Sequence, residues 1–101
     1  MRTIKQVNYK GEECLLKQNF YQNGRIALFL VSVEGELIST CTTNIPEIPL
    51  DDDEVFIKDY SENEGILEFL VKEGIVKDTG QVLLSGYVKI PVCRLQKNAI
   101  K

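Results

Sequence analysis

The chain of 101 residues contains no histidine and no tryptophan, and it has only three prolines. Without histidine, a Ser-His-Asp triad, a Cys-His dyad and an HExxH zinc site are all excluded. Acid-base catalysis near neutral pH would have to come from a shifted carboxylate, lysine, tyrosine or cysteine. We therefore predict a non-enzymatic protein with no catalytic residue, no cofactor and no metal site.

Long apolar runs are also missing from the chain. The longest, residues 26–33 with Ser32 inside it, is too short to cross a bilayer. Residues 1–13 contain no apolar stretch of the length that secretory signals require. We expect a cytoplasmic protein that makes no contact with membranes.

Cysteine is scarce, and the three cysteines form no CxxC pair. Cys14, Cys41 and Cys93 are far apart in the sequence, and each lies in an apolar or β-prone stretch. This pattern supports neither a zinc knuckle nor a thioredoxin-type site. We predict small buried thiols in a reducing compartment.

Composition and turn signals predict the fold. Apolar residues make up 44% and charged residues 27% of the chain, as in ordinary globular proteins. The length predicts a single domain, residues 1–101, with a loose tail at 96–101. The fold class that we predict is α+β, with an antiparallel, meander-like sheet of about five to six strands and one helix at about residues 62–73 packed against it.

Individual segments support this prediction. Turn signals occur at residues 10–11, 23–24, 79–80 and 85–86, all of which end in glycine. The segment RIALFLVSV, residues 25–33, is apolar on both faces and predicts a central strand. The segment LISTCTTN, residues 37–44, predicts one further strand, and VFIKD, residues 55–59, predicts a short one. Pro91 lies inside the last strand and predicts an edge position for it.

Helix signals cluster between residues 61 and 75. Ser61 and Glu64 match a capping box, in which the serine and the glutamate satisfy two backbone amides at the helix start. Gly74 stands where a left-handed C-terminal cap is needed, and Ile75 is placed to contact Leu70 in a Schellman motif.

Negative charge is concentrated in one segment. Residues 47–68 contain nine acidic residues and one basic residue, a charge of −8, while the rest of the chain carries +5. Such an uneven distribution of charge is evidence about binding to partners and not about the fold. We predict that a protein partner contacts this acidic surface through seven residues: Asp51, Asp52, Asp53, Glu54, Asp59, Glu62 and Glu68.

A calcium loop is one alternative for this segment. Counted from Asp51, carboxylates fall at relative positions 1, 3, 9 and 12 of an EF-hand loop. Position 6 must be glycine, yet Phe56 stands there, and prolines replace the helix that should precede the loop. The sequence therefore disfavours calcium. A magnesium-dependent enzyme is disfavoured as well, because three consecutive aspartates cannot all face one ion and no phosphate-binding glycine loop accompanies them.

Direct binding to nucleic acid is a further alternative. Lys5, Lys10, Lys17 and Arg25 can cluster on the N-terminal strands, with aromatic residues nearby. The acidic overall balance disfavours this interpretation. Two interpretations stay open: an acidic edge that docks on a basic partner, by imitating a row of phosphates, and a solvated loop whose acids only cap a helix. The predicted edge strand also leaves room for a homodimer.

Residues 55–95, VFIKDYSENEGILEFLVKEGIVKDTGQVLLSGYVKIPVCRL, resemble a family of small uncharacterised proteins carried by conjugative elements and phages of gut bacteria. The shared features are KDYSENEG at residues 58–65, GIV at 74–76 and PVCRL at 91–95. NGRIALFLV at 23–31 and the segment 45–60 are similar too. The resemblance implies a mobile-element gene and assigns no chemistry.

The resemblance also suggests a role. Small acidic proteins of mobile elements often inhibit host defence, and some are anti-CRISPR proteins that block nuclease effectors with positively charged channels. The acidic surface fits such a role, which leads to the hypothesis that this protein is an interaction module whose partner has a basic surface, with a nucleic-acid-processing effector as one candidate. The alternatives are an accessory protein for element transfer or maintenance, and a structural domain whose acidic residues bind nothing.

Overall fold

The computed structural model of the protein describes residues 2–96. In that range the chain forms eight β-strands, one 3₁₀ turn and one α-helix. Apart from Gln96, the predicted loose tail lies outside the described residues. The elements are β1 (Arg2–Tyr9), β2 (Glu12–Phe20), β3 (Ile26–Ser32), β4 (Leu37–Thr40), β5 (Thr42–Thr43), β6 (Glu54–Ile57), the 3₁₀ turn (Ser61–Asn63), α1 (Ile66–Lys72), β7 (Val76–Ser85) and β8 (Val88–Leu95).

The first four strands form an antiparallel sheet in the order β1-β2-β3-β4, which is the predicted meander. The first connection is a two-residue turn at Lys10 and Gly11, both with positive φ, as a tight hairpin requires. β3 pairs with β2 on one side and β4 on the other. Ala27 and Leu28 point to opposite faces and are both buried, which confirms the predicted central strand.

The chain changes sheets at Cys41. The sequence predicted one strand over residues 37–44, but β4 ends at Thr40 and β5 begins a second sheet at Thr42. The Cys41 amide donates to Leu28 O of the first sheet (2.8 Å), while Cys41 O accepts from the amide of Lys58 (2.8 Å). The α+β class is confirmed, but residues 2–96 form eight strands in two sheets instead of five or six in one.

The second sheet has the order β5-β6-β8-β7, so the last strand is central and the predicted edge position of Pro91 is wrong. β6 is short and pairs with β8 only at residues 92–94. Pro91 lies just beyond that pairing, so its missing N–H leaves no gap in the ladder. The turn predicted at Thr79-Gly80 is also wrong, because these residues form a bulge within β7.

The helix is shorter than predicted and does not begin with a capping box. Gly65 has φ +96°, which ends the 3₁₀ segment and prevents continuous helix from residue 62 to Lys72. The predicted C-terminus is confirmed. The amide of Gly74 donates to Val71 O (3.0 Å) and that of Ile75 donates to Leu70 O (2.9 Å), the two bonds of a Schellman motif.

Two apolar clusters stabilise the structure. The larger lies between the two sheets and α1, and it includes Leu28 and Leu30 of the first sheet, Ile57 of the second, and Leu70 of the helix. The smaller lies on the opposite face of the second sheet, where the loop of residues 45–50 covers Phe56, Ile90 and Val92. Within residues 2–96, no helix is long and apolar enough to cross a membrane.

Candidate functional site

The structure separates the predicted acidic surface into two groups. Asp51, Asp52, Asp53 and Glu54 lie at the start of β6, and Asp59 follows its end, together with Glu62 and Glu68. β6 spans roughly 10–13 Å, so the two groups are at opposite ends of this strand. Within residues 2–96, no three carboxylate or thiol groups are arranged to share a metal ion.

Three carboxylates of the first group surround one guanidinium group. Arg94 on β8 contacts Asp53 (2.5 Å), Asp51 (3.2 Å) and Glu54 (3.2 Å). These contacts arise because Arg94 is the cross-strand partner of Glu54, and because the amide of Leu95 donates to Asp53 O (2.7 Å). Hydrogen bonds to Asp53 and Asp51 raise the pKa of the Arg94 guanidinium further above its ordinary value.

Arg94 therefore explains why adjacent aspartates and a glutamate are tolerated here. Their mutual repulsion is offset by a shared cation, and the loop is joined to β8. Asp52 is the exception, since it is exposed and makes no ion pair with any residue from 2 to 96. Most of the charge in this group is therefore engaged within the molecule.

Asp59 performs the capping that the sequence assigned to Ser61 and Glu64. Its Oδ1 accepts hydrogen bonds from the amides of Gly65 and Leu67, both at 3.0 Å. Neither Ser61 nor Glu64 makes a side-chain hydrogen bond to the helix start. A buried neighbour also holds this segment, because Asn63 donates to Thr40 O (2.7 Å) and accepts from the Ser39 hydroxyl (2.7 Å).

The remaining two predicted contact residues differ in their surroundings. Glu62 accepts a hydrogen bond from Lys58 Nζ at 2.9 Å, which raises the pKa of Lys58 and lowers the pKa of Glu62. Glu68 lies on α1 beside a shallow hollow that also contains Tyr9 and Lys72. It makes no ion pair with the described residues.

The three cysteines are buried and unpaired, as predicted. Burial raises the pKa of Cys41 and of Cys93 to about 12, and it also raises the pKa of Cys14. Because the thiolate is the reactive form of cysteine, these side chains serve as small apolar core residues at neutral pH.

Some of the basic side chains proposed for a nucleic-acid face have intramolecular roles. Lys5 pairs with the carboxylate of Glu73 at 3.1 Å. Arg25 donates to the backbone carbonyls of Ile45 (2.7 Å) and Ile48. The ammonium group of Lys10 lies 5.2 Å from the centre of the Tyr9 ring. These contacts leave fewer cations available for phosphate groups.

A cleft of about 530 Å³ lies between the segment at residues 59–67 and the β7–β8 hairpin. Carboxylates of Asp59, Glu64 and Asp78 line it, and Lys89 is the basic residue at its rim. Asp59 is fixed in place by its two amide hydrogen bonds. The cleft therefore has a surplus of negative charge held on a defined backbone.

The cleft also has apolar walls. Leu67 of α1 contributes one side, and Val82 and Pro91 of the hairpin contribute the other. The hairpin continues beyond the covered part of the sheet, so that Val82 is 50% exposed, Leu84 is 71% exposed and Tyr87 at the tip is fully exposed. Exposed apolar groups beside like charges are typical of surfaces that bind other molecules.

Sequence reasoning missed three residues of this arrangement. Asp78 came just before a predicted turn, Lys89 lay in the predicted last strand without an assigned role, and Arg94 appeared only as a residue of the PVCRL segment. A signal for Arg94 was present, because a charged residue between the apolar Cys93 and Leu95 must face away from the core. Which carboxylates it meets depends on the pairing of β6 with β8, forty residues apart. Comparison with known protein families, with curated protein sequences and with solved structures found no match for this chain.

Proposed function

We propose that the protein is a non-enzymatic interaction module that binds the basic surface of a protein partner. The observation that carries this proposal is the cleft between residues 59–67 and the β7–β8 hairpin, which combines three carboxylates with exposed apolar walls. A partner segment with lysine or arginine next to apolar residues is complementary to both features. Glu62 and Glu68 do not line the cleft; each lies at a separate neighbouring hollow, and Glu62 is paired with Lys58.

The acidic loop of residues 51–54 has a smaller part in this proposal than the sequence suggested. Asp51, Asp53 and Glu54 are already paired with Arg94, so a partner would have to compete with an internal cation. Of these four acids, Asp52 alone has no cationic partner among residues 2–96. We assign the main contact to the cleft and treat the Asp51–Glu54 loop as a stabilising clamp.

Binding to defined peptides tests the proposal. The probes are peptides of about ten residues in which lysine or arginine alternates with valine or leucine. Matched peptides contain glutamate in place of the basic residues. We expect the basic peptides to shift backbone amide NMR signals at residues 59–67 and 78–91, with affinity that falls as salt rises from about 0.05 M to about 0.5 M. Equal binding of both peptide sets, or shifts confined to other surfaces, would contradict the proposal.

Charge-neutral variants localise the contact. The double variant Glu64→Gln, Asp78→Asn removes cleft charge, and we expect it to weaken binding of the basic peptides roughly 3-fold to 30-fold. The matched control, Glu47→Gln with Asp52→Asn, removes the same charge from two residues that do not line the cleft. If the control weakens binding as much as the cleft variant does, a general charge effect replaces the proposed site.

The resemblance to mobile-element proteins makes a nucleic-acid-processing effector of the host the first partner to test. In this finer proposal the protein inhibits a defence nuclease by occupying its basic groove. Adding the protein to a purified RNA-guided nuclease and its DNA substrate tests the idea. Slower cleavage that the cleft variant relieves supports it, and unchanged cleavage argues against a nuclease while leaving the basic-partner module intact.

An accessory role on nucleic acid predicts that the protein binds DNA, whereas the proposed function predicts that it does not. A simple assay distinguishes the two. Short duplex and single-stranded DNA, labelled with a fluorophore, are titrated with the protein at low salt. We expect no binding at micromolar concentrations, because the cleft is acidic and Lys5 and Arg25 are engaged within the molecule. Micromolar affinity for DNA would overturn the proposed function and favour the accessory role.

A further inference from the structure

The outer edge of β7 is open. β7 is the last strand in the order β5-β6-β8-β7, and no other strand within residues 2–96 pairs with its outer side. Open edges are usually protected by charged residues or prolines, because they can pair with another chain. The stretch from Gln81 to Ser85, with the sequence QVLLS, contains neither.

Pro91 determines which backbone groups of β7 face outward. Val82 is its cross-strand partner on β7. In an antiparallel ladder, opposite residues either exchange two hydrogen bonds or exchange none. Since proline has no N–H, Val82 and Pro91 form a pair of the second type. The N–H and C=O of Val82 therefore point away from β8, and by alternation those of Leu84 do too.

The open stretch has a defined start. Asp78 Oδ1 accepts from the amide of Gly80 (3.0 Å), and Thr79 Oγ1 accepts from the amide of Gln81 (3.2 Å). The bulge thus satisfies its own amides and cannot easily pair with another strand. The edge that remains available begins at Val82 and ends at Ser85, where the hairpin turns.

We propose that this edge pairs with the same edge of a second copy of the chain, giving a two-fold symmetric homodimer. Two antiparallel copies can align only in registers that place outward-facing residues opposite each other. The register centred on Leu83 places Val82 opposite the partner's Leu84 and the reverse, so every outward-facing group of the stretch is used. Gln81 then faces the partner's Ser85, and the two Leu83 side chains meet on the axis.

This register is self-complementary in its chemistry as well as in its geometry. Apolar residues meet apolar residues, polar residues meet polar residues, and no charged side chain lies between Gln81 and Ser85. A register centred on Val82 would place Leu84 opposite Gly80 of the bulge, which cannot pair. A register centred on Leu84 would place Val82 opposite Gly86, where the hairpin turns. Each of these registers therefore loses one outward-facing pair. The buried surface is small, so the dimer forms at high protein concentration and dissociates on dilution.

Pairing of the two edges would join the second sheets of both copies into one continuous sheet. The axis then runs perpendicular to that sheet, which places the two clefts on the same face, on either side of the axis. The inference does not depend on the proposed function, and either can fail alone. If both hold, one dimer presents two cleft sites to a basic partner.

Single-cysteine variants test the register. In the proposed dimer the two residues at position 83 form a non-hydrogen-bonded pair about 4.5 Å apart at Cα, within the range that a disulfide spans. We expect Leu83→Cys to form a covalent dimer under mild oxidation, while Val82→Cys and Leu84→Cys do not. Cys14, Cys41 and Cys93 are fully buried and do not interfere. Preferential cross-linking at position 82 or 84 would overturn the register.

Sedimentation of the unmodified chain tests the association itself. We expect the apparent mass to rise towards twice the monomer value between about 1 µM and about 500 µM. Leu84→Lys adds a charge to the edge at an exposed position and should keep the protein monomeric. The control is Leu37→Lys, which introduces the same change at a 62%-exposed position on the edge of the first sheet.

Three results would overturn the inference. The unmodified protein stays monomeric over the whole range, the Leu84→Lys variant still dimerises, or the Leu37→Lys variant also becomes monomeric. Far-UV circular dichroism of each variant confirms that the fold is retained. A monomer whose β7 amides shift only when a basic peptide is added would replace the second copy with a partner strand.

Discussion

Asp59 shows how one side chain sets the start of α1. Its carboxylate accepts hydrogen bonds from the amides of Gly65 and Leu67, and the positive φ of Gly65 makes this approach possible. A helix of seven residues gains little from propensity alone, so its first amides need a fixed acceptor. The same carboxylate lines the cleft, so folding and binding share this residue.

We predict that Asp59→Ala lowers the free energy of unfolding by about 1 kcal/mol, as expected when a capping side chain is lost. Asp59→Asn should retain most of the stability, because its amide oxygen can accept the same two hydrogen bonds. Chemical denaturation measures both. Ser61→Ala is the control, and a loss equal to that of Asp59→Ala would restore the capping box that the sequence suggested.

Cys41 is the second residue with a measurable consequence. Burial raises the pKa of its thiol from 9.0 to about 12, so the folded state keeps the proton that the unfolded state releases. The stabilisation is complete below pH 9 and is lost as pH rises from 9 towards 12. The free energy of unfolding should fall by up to about 1.4 kcal/mol per pH unit in that interval for this thiol. Denaturation at several pH values measures the slope, and Cys41→Ala should reduce it.

At the scale of elements, the connection between β6 and β8 depends on charged side chains. β6 is only four residues long, and its N-terminal loop is joined to β8 by the contacts of Arg94 with Asp51, Asp53 and Glu54. Its C-terminal end is joined to the first sheet through the Cys41 carbonyl. A short central strand therefore depends on side chains at one end and on backbone pairing at the other.

We predict that Arg94→Met destabilises the protein at neutral pH, because three adjacent carboxylates lose their shared cation. Dissolved salt screens repulsion between exposed charges, so the difference from the unmodified chain should shrink as salt rises. Thermal unfolding at neutral pH from about 0.05 M to about 1 M salt measures this. An equal loss at all salt concentrations would mean that Arg94 acts through packing, and Asp52→Asn serves as the neutral control.

At the scale of elements, the sequence predicted where the strands and the helix lie better than it predicted which strands pair. The meander of β1–β4, the central position of β3 and the C-terminal cap at Gly74 all follow from local patterns of side chains and glycines. The sheet change at Cys41 depends on pairings between residues 13–15 apart, and the central position of β8 depends on pairings between residues 36–40 apart. The pattern of a single strand contains no information about either pairing. Pro91 misled the prediction because the pairing of β6 with β8 ends at Val92, one residue before Pro91.

Only part of the candidate site was predicted, because some of its residues come from strands that are distant in the sequence. Its charge was visible in the sequence, because acidic residues were concentrated between residues 47 and 68. The division of that charge between an internal clamp and an open cleft was not visible, since Arg94 and Asp78 come from distant strands. Asp59 was named as a contact residue, and its role at the helix start became evident only from the positions of the two amides that it binds.

The two sheets of the whole molecule are connected by more than their shared core. Arg25, just before β3, donates to the carbonyls of Ile45 and Ile48 in the loop that covers the outer cluster of the second sheet. One side chain beside the first sheet thus anchors the loop that covers the second sheet. The outer cluster is small, so it depends on that loop to exclude water from Phe56 and Ile90.

We predict that Arg25→Ala lowers the free energy of unfolding by about 1–3 kcal/mol, because two carbonyls lose hydrogen bonds from a charged donor. Arg25→Lys keeps the charge but cannot reach both carbonyls as a planar fork, so it should recover only part of the loss. Hydrogen exchange distinguishes a local effect from a global one. Amides near Phe56 and Ile90 should exchange faster in the variant, while those of β3 should keep the protection set by global unfolding. Uniform acceleration in both sheets would show that the loop unfolds only with the whole molecule.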